Sequence, residues 1–153
     1  MMNFTRPLLR DERGASIIEL ALVLPFFATM IIGVTDISNA FSTKLQLEQA
    51  AYRAIEKVQQ YRTTSSTFDT LQSEAATAAG VPTSQVTVTY WLECNGTVQT
   101  NYDTTCSSGQ TTGRWIKVDI SKTFTPLFAS SKWPGSNADG TYTLHGKAGL
   151  RTQ

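Results

Sequence analysis

The chain has few of the residue types from which metal sites and catalytic centres are built. It contains one histidine and two cysteines among 153 residues. Cys94 and Cys106 do not form a CxxC pair and have no histidine nearby, so a zinc site is not supported. His145 has no recognisable cysteine or serine motif as a partner, which favours an ordinary surface histidine. Phosphate loops and paired-carboxylate motifs are also missing, and we therefore expect neither an enzyme nor a cofactor.

An excess of charge of one sign is missing as well. The chain has 13 basic and 12 acidic side chains, and the part that follows residue 14 carries ten of each. A balanced chain produces no basic field that would attract nucleic acid. We expect no nucleic-acid partner and no small-molecule substrate.

The longest apolar stretch runs from Ala15 to Val34 and contains one charge, Glu19, and one strong helix breaker, Pro25. Its length matches the roughly 20 residues that a helix needs to cross a bilayer. We predict a membrane-spanning helix with a kink at Pro25, because proline lacks an N–H donor and its ring clashes with the carbonyl four residues earlier. Basic residues precede the segment, and the next one is Lys44, so the leader should stay in the cytoplasm.

An ionisable group at mid-bilayer costs about 2.5–3.5 kcal/mol of insertion free energy, so the presence of Glu19 in this segment calls for an explanation. By default, an ionisable residue inside a membrane segment is a candidate functional residue. The alternative is that Glu19 lies among the lipid headgroups, within reach of water. A secretory signal peptide fits badly, because no clean small-residue cleavage site follows the apolar core. The small residue at the border is Gly14, on the cytoplasmic side.

These features resemble the class III signal of type IV pilins, with a charged leader, a glycine before the cut and a glutamate at the fifth mature position. More narrowly, the string GASIIELALVLPFF, followed by a helix with AAYRAIEKV, is similar to the TadE-like family of minor pseudopilins in the Tad (Flp) pilus system. Leu20 stands where a major Flp pilin usually has tyrosine, and the chain is far longer than such a pilin. Both departures favour a minor component.

The resemblance implies that an aspartyl prepilin peptidase cuts between Gly14 and Ala15. The expected partners are that peptidase, other Tad pilins or pseudopilins and the inner-membrane assembly platform, in support of pilus biogenesis, adhesion or surface attachment. The new amine of Ala15 is a plausible partner for Glu19 of a neighbouring subunit, and pairing would offset the desolvation of both charges. The protein would be single-pass in the bacterial inner membrane, with its C-terminal domain in the periplasm or, in an assembled pilus, outside the cell.

A membrane-anchored binding module that keeps its leader is the alternative function. Four aromatic residues are candidates for its binding face: Trp91, Trp115, Trp133 and Tyr102. Core packing or cross-strand pairing explains at least the first two equally well.

The expected fold is α+β, with a leader over 1–14, a transmembrane helix over 15–34, a helix extension over 35–61 and a periplasmic or extracellular domain over 62–153. The extension has apolar residues at three- and four-residue spacings, and it packs either on the chain's own domain or on a filament helix. After a polar break at residues 62–66, a short helix is expected over Thr67–Ala79, with Phe68, Leu71, Ala75 and Ala78 on its apolar face.

From Val86 onward, apolar residues alternate with polar ones and predict about three antiparallel strands, in VTVTYWLE, RWIKVDISK and TYTLHGKAGL. Gly146 and Gly149 in the third strand indicate a bulge or a close approach. The loop between Cys94 and Cys106 joins the first two strands. Export to an oxidising compartment favours a disulfide over free thiols or a metal pair, and closing such a loop contributes about 3 kcal/mol.

Overall fold

The computed structural model describes residues 12–60 and 68–152. Two helices and a four-stranded sheet follow one another along the chain, with a short 3-10 helix before the sheet: α1 Glu12–Gln60, α2 Phe68–Ala79, β1 Val86–Cys94, β2 Thr97–Val98, β3 Thr112–Phe124 and β4 Tyr142–Arg151. The predicted α+β class is confirmed. The leader as far as residue 11 and the predicted polar break at 62–66 lie outside the described residues.

The sheet has the order β2-β1-β3-β4, and all its neighbours are antiparallel. The fourth strand, which the sequence analysis did not predict, is the two-residue β2. It arises because Asn95 and Gly96 adopt φ values of 50° and 79°, which allow a tight turn to fold the chain back on β1.

The helix α1 belongs to two compact units, of which one ends at Ser38 and the other begins at Asn39. In the second unit, one apolar cluster joins α1 and α2 to one face of the sheet. Its buried members from α1 are Leu47, Ala50, Ala51, Ala54, Ile55 and Val58, and those from β1, β3 and β4 are Val86, Ile116, Val118, Ile120 and Ala148. The core therefore includes the segment that the sequence assigned to a helix extension.

Glycine in β4 allows the helix to approach the sheet closely. A Cβ on Gly146 would lie against the backbone of Leu47 and Glu48, so only a residue without a side chain fits there. The predicted close approach is confirmed at Gly146. At Gly149, by contrast, a Cβ would meet only the carbonyl oxygen of Ile116, at an ordinary 3.6 Å.

The helix α2 ends where Gly80 takes a φ of 63° and the N–H of Val81 donates to the carbonyl of Ala76 over 3.0 Å. This is the glycine-dependent helix end that the sequence predicts. Leu71 and Ala75 are buried as expected. The expectation for Ala78 was wrong, because Ala76 is the buried residue of that turn and Ala78 faces solvent.

The loop between β2 and β3 is fastened to the sheet in two ways. A disulfide joins Cys94 to Cys106, as predicted. The guanidinium of Arg114 donates to the carbonyls of Tyr102 and Thr104, each over 3.0 Å. Tyr102 is buried rather than exposed, because its ring lies beneath this guanidinium and against the edge of Tyr90. Its proposed place on an exposed aromatic face was wrong.

Candidate functional site: the apolar helix and the open face of the sheet

The face of the sheet opposite the apolar cluster is formed by alternate residues of its strands, and we call it the open face. It carries two tryptophans and most of the charged side chains of the sheet: Trp91, Glu93, Trp115, Lys117, Asp119, His145, Lys147 and Arg151.

Trp91 and Trp115 are directly opposite each other on β1 and β3, and their indoles stack with centroids 6.1 Å apart and planes 10° apart. The carboxylate of Glu93 accepts from both indole N–H groups, over 2.8 Å to Trp91 and 3.1 Å to Trp115. The guanidinium of Arg151 lies 5.8 Å from the Trp115 ring centre. Cross-strand pairing therefore accounts for both tryptophans, and one carboxylate fixes the position of both rings.

Gly113 makes room for this arrangement. It lies two residues before Trp115, and a Cβ there would come within 3.1 Å of the indole nitrogen. The indole thus covers the backbone of a buried glycine, which is a known way of protecting a glycine within a strand.

A second cluster on the open face is centred on Asp119. Its carboxylate contacts Nδ1 of His145 at 2.9 Å and Nζ of Lys147 at 3.4 Å. Burial by itself would raise the pKa of Asp119, but hydrogen bonds and charge from His145 and Lys147 bring that pKa below its ordinary value. Ser121 is opposite His145, but its hydroxyl donates to the carbonyl of Gln85 over 3.2 Å.

On α1, the segment predicted to cross the membrane exposes large apolar side chains along its length, among them Ile17, Leu22, Phe26 and Ile31. The hydroxyls of Thr29 and Thr35 donate to carbonyls of the preceding turn, each over 2.8 Å, so these polar atoms are satisfied within the helix. Glu19 is also exposed, and it forms none of the ion pairs found among the described residues.

The other predicted site residues of this segment lie in the same helix. Gly14 and Ala15 belong to its first turns, and Pro25 lies within it. Both the cleavage after Gly14 and the kink at Pro25 stay predictions. Within the described part of the chain, one helix is long and apolar enough to span a membrane, over Ser16–Val58. This indicates a single-pass membrane protein.

Comparison with protein families bears directly on this helix. Residues 14–55 match the family model of TadE-like protein. The family suggested by the sequence is thereby confirmed over this segment. No curated protein and no solved structure matches the chain.

The TadE-like segment begins at Gly14 and ends at Ile55, inside α1. It includes Glu19, the apolar span and the core residues of α1 from Leu47 to Ile55. The match suggests a Tad pilus-associated protein that is associated with a membrane. The sheet and its open face lie outside the matched residues.

Beyond residue 34, the TadE-like segment has two apolar stripes on different sides of the helix. One is the stripe buried in the core, with Leu47 1% exposed. The other, which we call the outer stripe, consists of Phe41, Leu45 and Tyr52, and these are 62%, 40% and 58% exposed. The outer stripe follows the three- and four-residue spacing of one helix face.

The sequence analysis put Glu93 and Asp119 on the same strand faces as Trp91 and Trp115, but it did not predict the contacts of the polar residues on the open face. It did not assign roles to Glu93, Asp119, Lys147 or Arg151. A signal was present for Glu93, because residues two apart in a strand share a face and Glu93 follows Trp91 by two. The other three contacts depend on the register between strands, which the sequence pattern does not define.

Proposed function

We propose that this chain is a minor pilin or pseudopilin of a Tad (Flp) type IV pilus. Prepilin peptidase would cut after Gly14, and the mature protein would join the pilus assembly through its N-terminal helix. The observation that carries this proposal is the lone carboxylate, Glu19, on the exposed apolar part of the TadE-like segment. The apolar side chains of this part of the helix are exposed, and a single carboxylate among them is stabilised when a neighbouring subunit supplies an opposite charge.

Cleavage would supply that charge. It would create an amine on Ala15, four residues before Glu19 in the same helix. In a bilayer, an amine and a carboxylate on neighbouring helices are stabilised when they pair, and the pairing also defines the axial register between the helices. The role is structural and needs no metal, cofactor or small-molecule substrate.

The outer stripe supports the same proposal. Phe41, Leu45 and Tyr52 lie beyond the roughly 20 residues that a bilayer accommodates, yet they are exposed. A neighbouring pilin helix would remove this apolar surface from water. The inner-membrane location and the periplasmic or extracellular position of the sheet belong to this proposal.

The first experiment compares Glu19→Gln with Glu56→Gln, which removes an exposed carboxylate from the same helix outside the apolar segment. Both variants should insert in the membrane and reach mature mass. Glu19→Gln alone should fail to co-purify with the pilin machinery. Unchanged co-purification of Glu19→Gln would refute the assembly role.

The second experiment tests processing. Gly14→Leu should remain at precursor mass, because a bulky side chain prevents close approach of the peptidase to the backbone. Gly33→Leu serves as its control, since a Cβ on Gly33 meets no atom within 4 Å. Intact-mass measurement and N-terminal sequencing of the membrane fraction and of sheared pili give the result. A wild-type chain that retains residues 1–14 in both fractions would contradict the proposal.

The tryptophan pair on the open face favours a second candidate, an uncleaved single-pass binding module that acts outside any pilus. It predicts full precursor mass in the membrane and no protein in the sheared fraction, so the same sequencing experiment separates the two functions.

A further inference from the structure

The strand β4 forms one edge of the sheet and pairs with β3 on one side. Its ten residues match β3 one to one, without a bulge, and none of them is proline. Short strands, bulges and prolines are common means by which proteins prevent another chain from pairing with a sheet edge. A long and regular edge strand is therefore a candidate docking site for an extended segment.

The backbone groups of β4 point outward at alternate residues. The N–H of Thr152 donates to the carbonyl of Arg114 over 2.8 Å. Because bonded and non-bonded pairs alternate in an antiparallel ladder, the even-numbered residues of β4 direct their N–H and C=O groups towards β3, and the odd-numbered residues direct theirs away from it. Four residues have outward groups that form no backbone hydrogen bond with the described part of the chain: Thr143, His145, Lys147 and Gly149.

The opposite edge of the sheet, along β1, has partners for its backbone. The carbonyl of Leu92 accepts from the N–H of Gln99 over 2.7 Å, and the carbonyl of Val86 accepts from Nε2 of Gln72 over 2.8 Å. The chain that follows β2 and a side chain of α2 thus satisfy parts of that edge. The edge at β4 is the one that offers an unpaired row of donors and acceptors.

A lysine lies at the middle of this row. The strand β4 contains Lys147 and Arg151 and no carboxylate, whereas the two carboxylates of the open face, Glu93 and Asp119, belong to β1 and β3. The side chain of Lys147 is 55% exposed, although its Nζ contacts Asp119 at 3.4 Å. Because an ammonium group has three donors, Lys147 is able to pair with a second carboxylate on a strand added beside β4.

The same lysine argues against a second copy of this chain as the occupant. Two antiparallel β4 strands would place the basic side chains of both copies along one face, and neither strand would supply a carboxylate. Like charges opposite each other destabilise a pair of strands. The charge of the edge therefore favours an acidic partner.

The other face of β4 favours apolar neighbours. Leu144 and Leu150 alternate with the outward residues and pack against the apolar cluster, where they are partly buried. An added strand would place every second side chain beside these two leucines. Apolar residues at those positions would extend the cluster.

We propose that the outer edge of β4 binds an extended segment of a partner protein by β-strand addition. The segment pairs antiparallel, as all neighbours in the sheet do. It places a carboxylate opposite Lys147 and apolar side chains beside Leu144 and Leu150. Backbone hydrogen bonds supply the affinity, and the side chains determine the register and the specificity.

This binding does not involve Glu19 or cleavage after Gly14. A chain that is never cut would bind the segment in the same way. Loss of the proposed pilin role would therefore leave this inference intact, and the reverse also holds.

The first test measures the binding of fluorescently labelled synthetic peptides to the full chain in detergent micelles by fluorescence anisotropy. The probe peptide has about nine residues, a common strand length, with valine at every second position, threonine at the others and glutamate at the centre. It should bind. The same peptide with lysine at the centre should bind at least about fivefold more weakly, because it brings a like charge opposite Lys147.

Two further peptides carry N-methyl groups on alternate residues, either on the glutamate and the threonines or on the valines. In an antiparallel pair that sets the glutamate opposite Lys147, the N–H groups of the glutamate and the threonines point towards β4. Only the peptide methylated on those residues should lose binding. The peptide methylated on the valines is its matched control.

Variants of the protein test the same edge. Gly149→Pro removes an outward N–H without removing a hydrogen bond to β3, and it should bind the probe peptide about tenfold more weakly than Gly149→Ala does. Lys147→Gln should weaken binding about two- to fivefold. Lys132→Gln, which changes an exposed lysine in the loop before β4, should bind as the wild type does.

No binding of the glutamate peptide, equal binding of the lysine peptide, or equal effects of the two N-methylation patterns would overturn the proposal. These peptide results do not depend on how any variant folds. Analytical ultracentrifugation tests the alternative occupant, because a dimer of the wild-type chain that Gly149→Pro abolishes would assign the edge to a second copy and would also overturn the proposal.

Discussion

Gly146 decides how closely α1 lies to the sheet. The backbone of Leu47 and Glu48 occupies the space that any side chain at this position would need. The sequence pattern singled out Gly146 and Gly149 equally, because both interrupt an alternating strand. Only the position of the helix distinguishes them, and a strand pattern does not contain that information.

We predict that Gly146→Ala lowers the free energy of unfolding by about 1–3 kcal/mol, the usual cost of forcing an extra carbon into a packed interior. The matched change Gly149→Ala should stay within about 0.5 kcal/mol of the wild type, because its Cβ meets only ordinary contacts. Denaturant unfolding followed by tryptophan fluorescence measures both. Equal effects of the two substitutions would argue against the close helix–sheet contact.

Asp119 makes stability depend on pH in a defined direction. Its pKa in the folded chain lies below the ordinary value of 3.8. The folded state therefore holds the ionised form more strongly than the unfolded state does. The resulting stabilisation is complete above the ordinary value and disappears as the pH falls through the lower, folded value.

We predict that Asp119→Asn destabilises the protein at pH 7 by at most about 1 kcal/mol, since solvent screens the ion pairs on this face. The difference from the wild type should shrink as the pH falls below 3.8. Asp103→Asn is the control, because Asp103 is exposed and forms no ion pair among the described residues. A difference that stays constant from pH 7 to pH 3 would exclude this origin of the stability.

At the scale of elements, the alternation of apolar residues was enough to predict the long strands and their buried faces. Val86, Ile116 and Val118 are buried as that alternation requires. The pattern did not predict β2, because a two-residue strand has no period and depends on the turn at Asn95–Gly96. It also did not predict that Tyr102 is buried, because the guanidinium above it comes from another element.

The helix α1 shows a different limit of sequence analysis. Its extension has apolar residues all round, so its periodicity allows two faces to be the buried one. The sheet selects the face with Leu47 and Ala51, and small alanines let the helix approach. Phe41 and Tyr52, which are larger than these residues, lie on the face that the sheet does not cover.

The disulfide of the loop between β2 and β3 should contribute to stability mainly through the unfolded chain. It closes a loop with a sequence separation of 12 residues, and we predict that the double change Cys94→Ser with Cys106→Ser lowers the free energy of unfolding by about 3 kcal/mol. Reductant should destabilise the wild type by a similar amount and leave the double variant unaffected. An identical response of both proteins to reductant would show that the bond does not form.

At the scale of the whole molecule, the two stripes of α1 have separate consequences. The stripe of α1 that is buried in the core holds the C-terminal unit together, whereas the outer stripe is exposed. The sequence predicted both the family and the membrane span, because these depend on a contiguous run of residues. The open face was not predictable in the same way, because three strands contribute to it.

We predict that Phe41→Gln combined with Tyr52→Gln keeps the free energy of unfolding within about 0.5 kcal/mol of the wild type, because both side chains are exposed. Co-purification with pilin partners should nevertheless fall. Leu47→Ala, by contrast, should lower the free energy of unfolding by about 2–5 kcal/mol, because this leucine is buried. Normal co-purification of the double variant would limit the assembly contact to the membrane segment.

The sharing of α1 between two units also has a mechanical consequence. One uninterrupted helix carries the membrane segment and six of the fifteen buried residues described in the apolar cluster. A tensile load on the part of α1 that follows Asn39 would therefore be carried directly by the hydrophobic core of the C-terminal unit. In the proposed pilus role, the packing of Leu47 and Ala51 against the sheet would resist this load.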